Sequence, residues 1–137
     1  MRLFLDSDVI ISSLNSSTGA SFQLLETSLD KFISNYSARE LEIVVERLSL
    51  DLDQLRKILS TKVQIVTLLE RPDEILKRYE LYINDPFDSH IIAGAVAAQA
   101  QYLITYNMKD YKIDKIKEDF KIITMRPGEF LQFLRSS

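Results

Sequence analysis

"DSHIIAGAVAAQAQYLIT", residues 88–105, sets an acid at the head of a stretch of small apolar residues and closes on a strand-length run that ends in threonine. The spacing predicts a helix from Asp88 to Gln101, in which Ala93, Gly94, Ala97 and Ala98 leave room for the helix to lie close against a sheet. Close packing of this kind holds the helix amino terminus, and Asp88 with it, at a fixed place relative to the strand ends. The run from Tyr102 to Ile104 then reads as a short buried strand.

The same alternation extends outward in both directions. Further runs of strand length lie at Leu3 to Leu5, Phe32 to Ile33, Val63 to Val66 and Ile122 to Ile123. Between them, Leu41, Val44, Val45 and Leu48 form a stripe at helical spacing within a helix from Ser37 to Leu50. Helices are also expected from about Asp51 to Leu59, from about Asp73 to Tyr82 behind Pro72, and in "PGEFLQFL" from Pro127. Strands alternating with helices make a parallel α/β sheet the expected fold class. With 137 residues, only three Gly and three Pro, and no repeat or low-complexity segment, one domain over residues 1–137 is expected.

Composition narrows the function. The chain has no cysteine, so disulfides, thiolate metal sites and cysteine nucleophiles are excluded together. Its longest apolar stretch, Ile91 to Ala98, is far short of the roughly 18 residues that a membrane span needs. The opening residues carry acids within the apolar run, unlike a secretory signal, so a cytoplasmic protein with no membrane contact is expected. Net charge is −3, from 17 Lys and Arg against 20 Asp and Glu, which gives no global attraction for nucleic acid.

Acids and amides fall where strands end or helices begin: Asp6 with Asp8, Glu40, Asp85 with Asp88, and Asn107 with Asp110. Right-handed crossovers put successive strand ends on one rim, and strands one and four flank the switch point, so Asp6, Asp88 and Thr105 should share one crevice. Crowded carboxylates raise one another's pKa unless a cation sits among them. Mg²⁺ or Mn²⁺ takes oxygen ligands and can polarise a phosphodiester, which points to metal-dependent hydrolysis. Each acid also has a plainer role. Asp6, Asp8 and Asp88 suit helix N-caps, Ser37-Ala38-Arg39-Glu40 has the form of a capping box, and His90 reads as a solvated helix residue.

Taken together, "LFLDSDVIISSL", "FISNYSARELEIVVERL" and "DPFDSHIIAGAVAAQAQYLITYN" resemble the PIN-domain nucleases, and in particular the VapC-like ribonuclease toxins of toxin–antitoxin pairs. The resemblance covers nearly the whole chain. It implies a three-layer α/β/α sandwich with strand order 3-2-1-4-5 and Mg²⁺- or Mn²⁺-dependent cleavage of RNA. Asp6, Glu40 and Asp88 match the metal-binding acids, with Glu42 as the alternative to Glu40. Asp8, Asp85, Thr105 and Asp110 match supporting positions. Many members carry a fourth acid where this chain has Asn107; the subgroup pattern Thr-x-Asn-x-x-Asp-Phe keeps the Asn, and "TYNMKDY" follows it with Tyr111 in place of Phe. Asn107 supplies no charge, which weakens the case for a second metal. In the implied reaction, a water oriented by Asn107 or a carboxylate attacks phosphorus in line. Lys109, Lys112 and Lys115, with Lys117 and Lys121, are candidates for phosphate contacts, although interleaved acids also suit a solvated face. A cognate antitoxin and a homodimer are implied as partners.

Three rivals share parts of this pattern. A phosphoacceptor receiver domain needs an Asp after strand three, where "VQIVTLLE" offers Thr67 and Glu70 instead. A haloacid-dehalogenase-like phosphatase fits "LDSDV" but expects its later acids after a strand, whereas Asp85 and Asp88 precede a helix. The third is a silent PIN domain that binds RNA or protein without cutting.

Overall fold

Leu3, Phe4 and Leu5 are fully buried, as a continuous apolar run must be when both faces of its sheet are covered. In the computed structural model, which describes residues 1–137, they belong to β1 (Arg2–Leu5), the central strand of five. The others are β2 (Asp30–Ser34), β3 (Gln64–Val66), β4 (Tyr102–Ile104) and β5 (Ile123–Met125). Their order is β3-β2-β1-β4-β5 with every pairing parallel, and Phe4 stands opposite Phe32 on one side and Leu103 on the other. This is the expected strand order.

Eight helices complete the chain: α1 (Ser7–Asn15), α2 (Ala20–Glu26), α3 (Asn35–Arg47), α4 (Leu52–Thr61), α5 (Pro72–Tyr79), α6 (Ser89–Ala97), α7 (Ile113–Phe120) and α8 (Pro127–Ser136). Alternation along the strands divides the core between two faces. Phe4, Phe32 and Leu103 pack with Ile75, Ile92 and Ile116 from α5, α6 and α7. Leu3, Leu5, Ile33 and Ile104 pack on the other face with Ile10, Leu24, Leu41, Leu55 and Phe130 from the remaining helices.

Helix α6 does lie hard against the sheet. A Cβ at Gly94 would fall 2.3 Å from Phe4 Cζ, so only glycine permits this approach. Ala93, Ala95 and Ala98 share the buried face, whereas Ala97 is exposed. The helix is shorter than expected. A 3₁₀ turn at Pro86–Asp88 precedes it, and the chain leaves it at Ala97 to pass through a left-handed Gln99 (φ 54°). Two other expectations change for local reasons. Helix α3 begins at Asn35 because Ser34 is its cap, with Oγ accepting from the Ser37 N–H at 3.1 Å, so the Ser37–Glu40 box is not used. Helix α5 ends at Tyr79 and tightens into a 3₁₀ turn over Glu80–Tyr82, after which Ile83 pairs antiparallel with Tyr111.

Candidate active site

Two neighbouring parallel strands deliver the first part of the site. The Asp6 N–H donates to the Ile104 carbonyl at 2.9 Å and the Thr105 N–H to the Met125 carbonyl at 3.0 Å, so the ladders run one residue past β1 and β4. Asp6 and Thr105 therefore stand side by side, and the Thr105 hydroxyl donates to Asp6 Oδ2 at 2.8 Å. The same hydroxyl lies 3.3 Å from Asp8 Oδ2, which also accepts the Tyr106 N–H at 3.0 Å. Asn107 enters through its backbone, donating its N–H to Thr105 Oγ1 at 3.0 Å.

The Ile83–Tyr111 bridge delivers the second part. It sets the turn carrying Asp85 and Asp88 beside the one carrying Asp110. The Asp85 N–H donates to Asp110 Oδ1 at 2.9 Å, and Asp85 Oδ1 accepts the Phe87 N–H at 3.1 Å. From the same strip the Tyr111 hydroxyl, nearly buried, donates to Asp6 Oδ2 at 2.6 Å and ties the two parts together.

The electrostatics match this crowding. Burial pushes Asp88 up to about 7, helped by the hydrogen bond its protonated form makes with Asp110 and by the charges of Asp110, Asp85 and Asp6. Burial and the charge of Asp6 push Asp8 up to about 6, against the hydrogen bonds it accepts. Burial, the charge and hydrogen bond of Asp6, and the charges of Asp88 and Asp8 hold the Tyr111 phenol well above its ordinary range, so it stays a donor. Neither Asp6 nor Asp88 acts as a cap. Both occupy N-cap positions, of α1 and α6, and neither side chain accepts a helix N–H.

Glu40 stands apart from this cluster. Its half-exposed side chain lies 3.1 Å from His90 Nε2, and it is not among the charges that act on Asp88. Glu42 faces Arg56 at 3.7 Å on the exposed surface between α3 and α4.

A PIN-domain family model matches residues 2–109. The chain belongs to the PIN-domain family. Among curated proteins none matches its sequence significantly. Solved structures share the fold: the Rickettsia felis VapBC2 complex bound to a promoter DNA fragment (18% identity, TM-score 0.64, covering 92% of this chain and 98% of that one). A toxin–antitoxin complex from Klebsiella pneumoniae is similar at 23% identity and TM-score 0.64, over 93% and 98% of the two chains. Mycobacterium tuberculosis VapC20, described as a toxin that cleaves the sarcin–ricin loop, is similar at 15% identity and TM-score 0.56, over 86% and 95%.

The PIN fold thus brings together Asp6, Asp8, Asp85, Asp88, Thr105 and Asp110, while Glu40 keeps company with His90. Lys109, Lys112 and Lys115 are exposed and pair with no acid; Lys115 lies 5.5 Å from the centre of the Tyr82 ring. Two residues were not legible as part of the site. His90 is buried rather than solvated, with its ring 5.8 Å from that of Tyr36. Tyr111 bonds Asp6, and its only signal in the sequence was a hydroxyl where the subgroup pattern has Phe. For a divalent cation the donor chemistry fits. The crevice offers carboxylate oxygens, and Asp8 Oδ1 and Ser7 Oγ are buried with no partner. As the side chains stand, no three acids lie close enough to share one cation. No helix is long and apolar enough to cross a membrane.

Proposed function

We propose that residues 1–137 form one PIN domain acting as a Mg²⁺- or Mn²⁺-dependent endoribonuclease, the cytoplasmic toxin of a toxin–antitoxin pair. One observation carries this reading. Asp6 and Asp88 stand at helix starts without capping them, in a crevice with Asp8 and Asp110 where burial and like charge oppose the ionisation of Asp8 and Asp88. Membership of the PIN family and the shared fold with toxin structures support it. A protein antitoxin is the proposed partner and a homodimer the proposed assembly.

In this mechanism Asp6 and Asp88 would hold the cation, directly or through water, and Glu40, whose side chain stands against His90, would reach it only through water. When bound, the cation polarises the phosphodiester and makes attack by water easier at neutral pH. Thr105 and Tyr111 fix Asp6 through two hydroxyl donors to the same oxygen, Oδ2, so that Oδ1 can serve a cation. The Tyr106 N–H anchors Asp8, and Asn107, exposed and tied by its backbone N–H to Thr105, would orient the attacking water for an in-line approach. Lys109, Lys112 and Lys115 supply a local positive edge for the RNA backbone.

Asn107 in place of a fourth acid favours a second reading, a PIN domain that binds RNA or protein without cutting it. Titrating Mn²⁺ into the protein and into Asp88→Asn, while assaying a mixed RNA pool with EDTA as control, separates the two. Cleavage by the unmodified protein that needs metal and is lost in Asp88→Asn is the expected result; metal binding without cleavage selects the second reading.

A further inference from the structure

Beside the acid crevice lies a separate cleft of about 480 Å³, within the roughly 300–1,000 Å³ of small-ligand sites. Tyr36, Pro86, Phe87 and His90 give it aromatic and apolar walls, and Glu40 and Asp73 stand on it with no lysine or arginine among the lining residues. Phe87 is 84% exposed, an aromatic ring that the protein leaves uncovered. The side chain of His90 is only 6% exposed. Both ring nitrogens lack a hydrogen bond: Nε2 stands 3.1 Å from Glu40 Oε1 but outside hydrogen-bond geometry, and Nδ1 has no partner.

We infer that this cleft is a nucleobase site, taking one unpaired base of the RNA strand whose phosphate enters the acid crevice. The assignment rests on the nuclease reading above. Position supports a base as the occupant. Phe87 and Asp88 are consecutive, and adjacent Cα atoms are about 3.8 Å apart, so a phosphate drawn to a cation at Asp88 would bring its own base within reach of the Phe87 ring. Charge supports it as well. A cleft lined by two acids and by no lysine or arginine does not attract phosphate, but it accepts a planar, uncharged base whose N–H edges can face the carboxylates. Unstacked bases of single-stranded RNA bind on such aromatic surfaces with little sequence preference.

The test uses single-stranded RNA carrying one 2-aminopurine, whose emission reports stacking, with the unmodified protein, Phe87→Ala, Phe87→Trp and Asp88→Asn. Binding is read in Ca²⁺ and cleavage in Mn²⁺. Expected for Phe87→Ala are a KM raised roughly tenfold, within the range for loss of one stacked base, a kcat within about threefold, a lost emission change and an unchanged melting temperature. Phe87→Trp should restore binding. If Phe87→Ala leaves KM and emission unchanged while Asp88→Asn abolishes cleavage, the base site falls and the nuclease stands. If nothing is cleaved, yet emission changes and Phe87→Ala removes that change, the nuclease falls and the base site stands. Absence of both cleavage and binding overturns both. An unchanged KM together with release of a co-purifying protein inhibitor would assign the cleft to a protein partner and overturn the base site.

Discussion

Two kinds of helix start occur in this molecule. At α3 and α4, Ser34 Oγ and Asp51 Oδ1 each accept a helix N–H at 3.1 Å. At α1 and α6, Asp6 and Asp88 occupy the same position and turn away, Asp6 to the hydroxyls of Thr105 and Tyr111 and Asp88 to the acid face with Asp110. Asp51 and Asp6 are the same residue type, so intrinsic preference does not separate them. What separates them is the sheet rim, which supplies other donors to Asp6 and other acids to Asp88. A cap forgone costs about 1 kcal/mol, and acids crowded together cost more, so the rim is held at the expense of stability.

The comparison predicts opposite responses to substitution. Asp88→Asn should reduce metal-dependent RNA cleavage at least a hundredfold, since even groups that only support a metal ligand cost about 10–100-fold when lost. Its melting temperature in EDTA should be no lower than that of the unmodified protein, because a like charge has gone and no cap was there. A clear fall in stability with cleavage retained would put Asp88 among the structural caps.

Helix α6 does without its cap because its body is locked. Gly94→Ala should destabilise by about 1–3 kcal/mol in urea denaturation, through collision with the fully buried Phe4 ring, and should weaken cleavage by moving Asp88. An unchanged urea midpoint would mean that something other than this contact positions α6. Next in size is Tyr111→Phe, which keeps the buried ring and removes the donor to Asp6 Oδ2. Isothermal titration with Mn²⁺ should show roughly tenfold weaker binding, as expected when a group that orients a ligand is lost. Equal affinity would show that Thr105 suffices. Smaller still, Ser34→Ala should cost about 1 kcal/mol of stability, read by the same urea midpoint, and leave cleavage intact.

Much of this arrangement was legible in the sequence, and the failures have particular causes. Parallel order and the meeting of Asp6, Thr105 and Asp88 follow from alternation and crossover handedness, and Gly94 announced the close helix. The sequence pattern sets the cap of α3 at Ser37, three residues late, because Ser34 and Ser37 are the same residue type and only the end of β2 decides between them. The place of Glu40 is implied by the family resemblance alone, and in the structure its half-exposed side chain stands against His90, a contact that no spacing in the sequence reveals. In the sequence Tyr111 shows only as Tyr where the subgroup pattern has Phe. Its hydroxyl matters only through the antiparallel bridge to Ile83, a pairing between irregular segments that no periodicity reveals.

The smallest expected effect is a slope with pH. Asp88 is raised from 3.8 to about 7 and Asp8 from 3.8 to about 6, so the native state keeps protons that the unfolded chain has already released. Between about pH 4 and pH 7 the unfolded state binds fewer protons than the native state, and this contribution to stability falls as pH rises. Asp88→Asn removes the largest part of it. The stability of the variant minus that of the unmodified protein, in EDTA, should therefore grow from about pH 5 to about pH 7 and level off above. Melting curves across that range check the slope. Saturating Mn²⁺ should stabilise the unmodified protein more at the alkaline end, where the carboxylates are free to bind it, and stabilise Asp88→Asn less. A difference that stays flat with pH would show that the acid crevice carries no strain of charge, and the contrast between capping and non-capping acids would then rest on geometry alone.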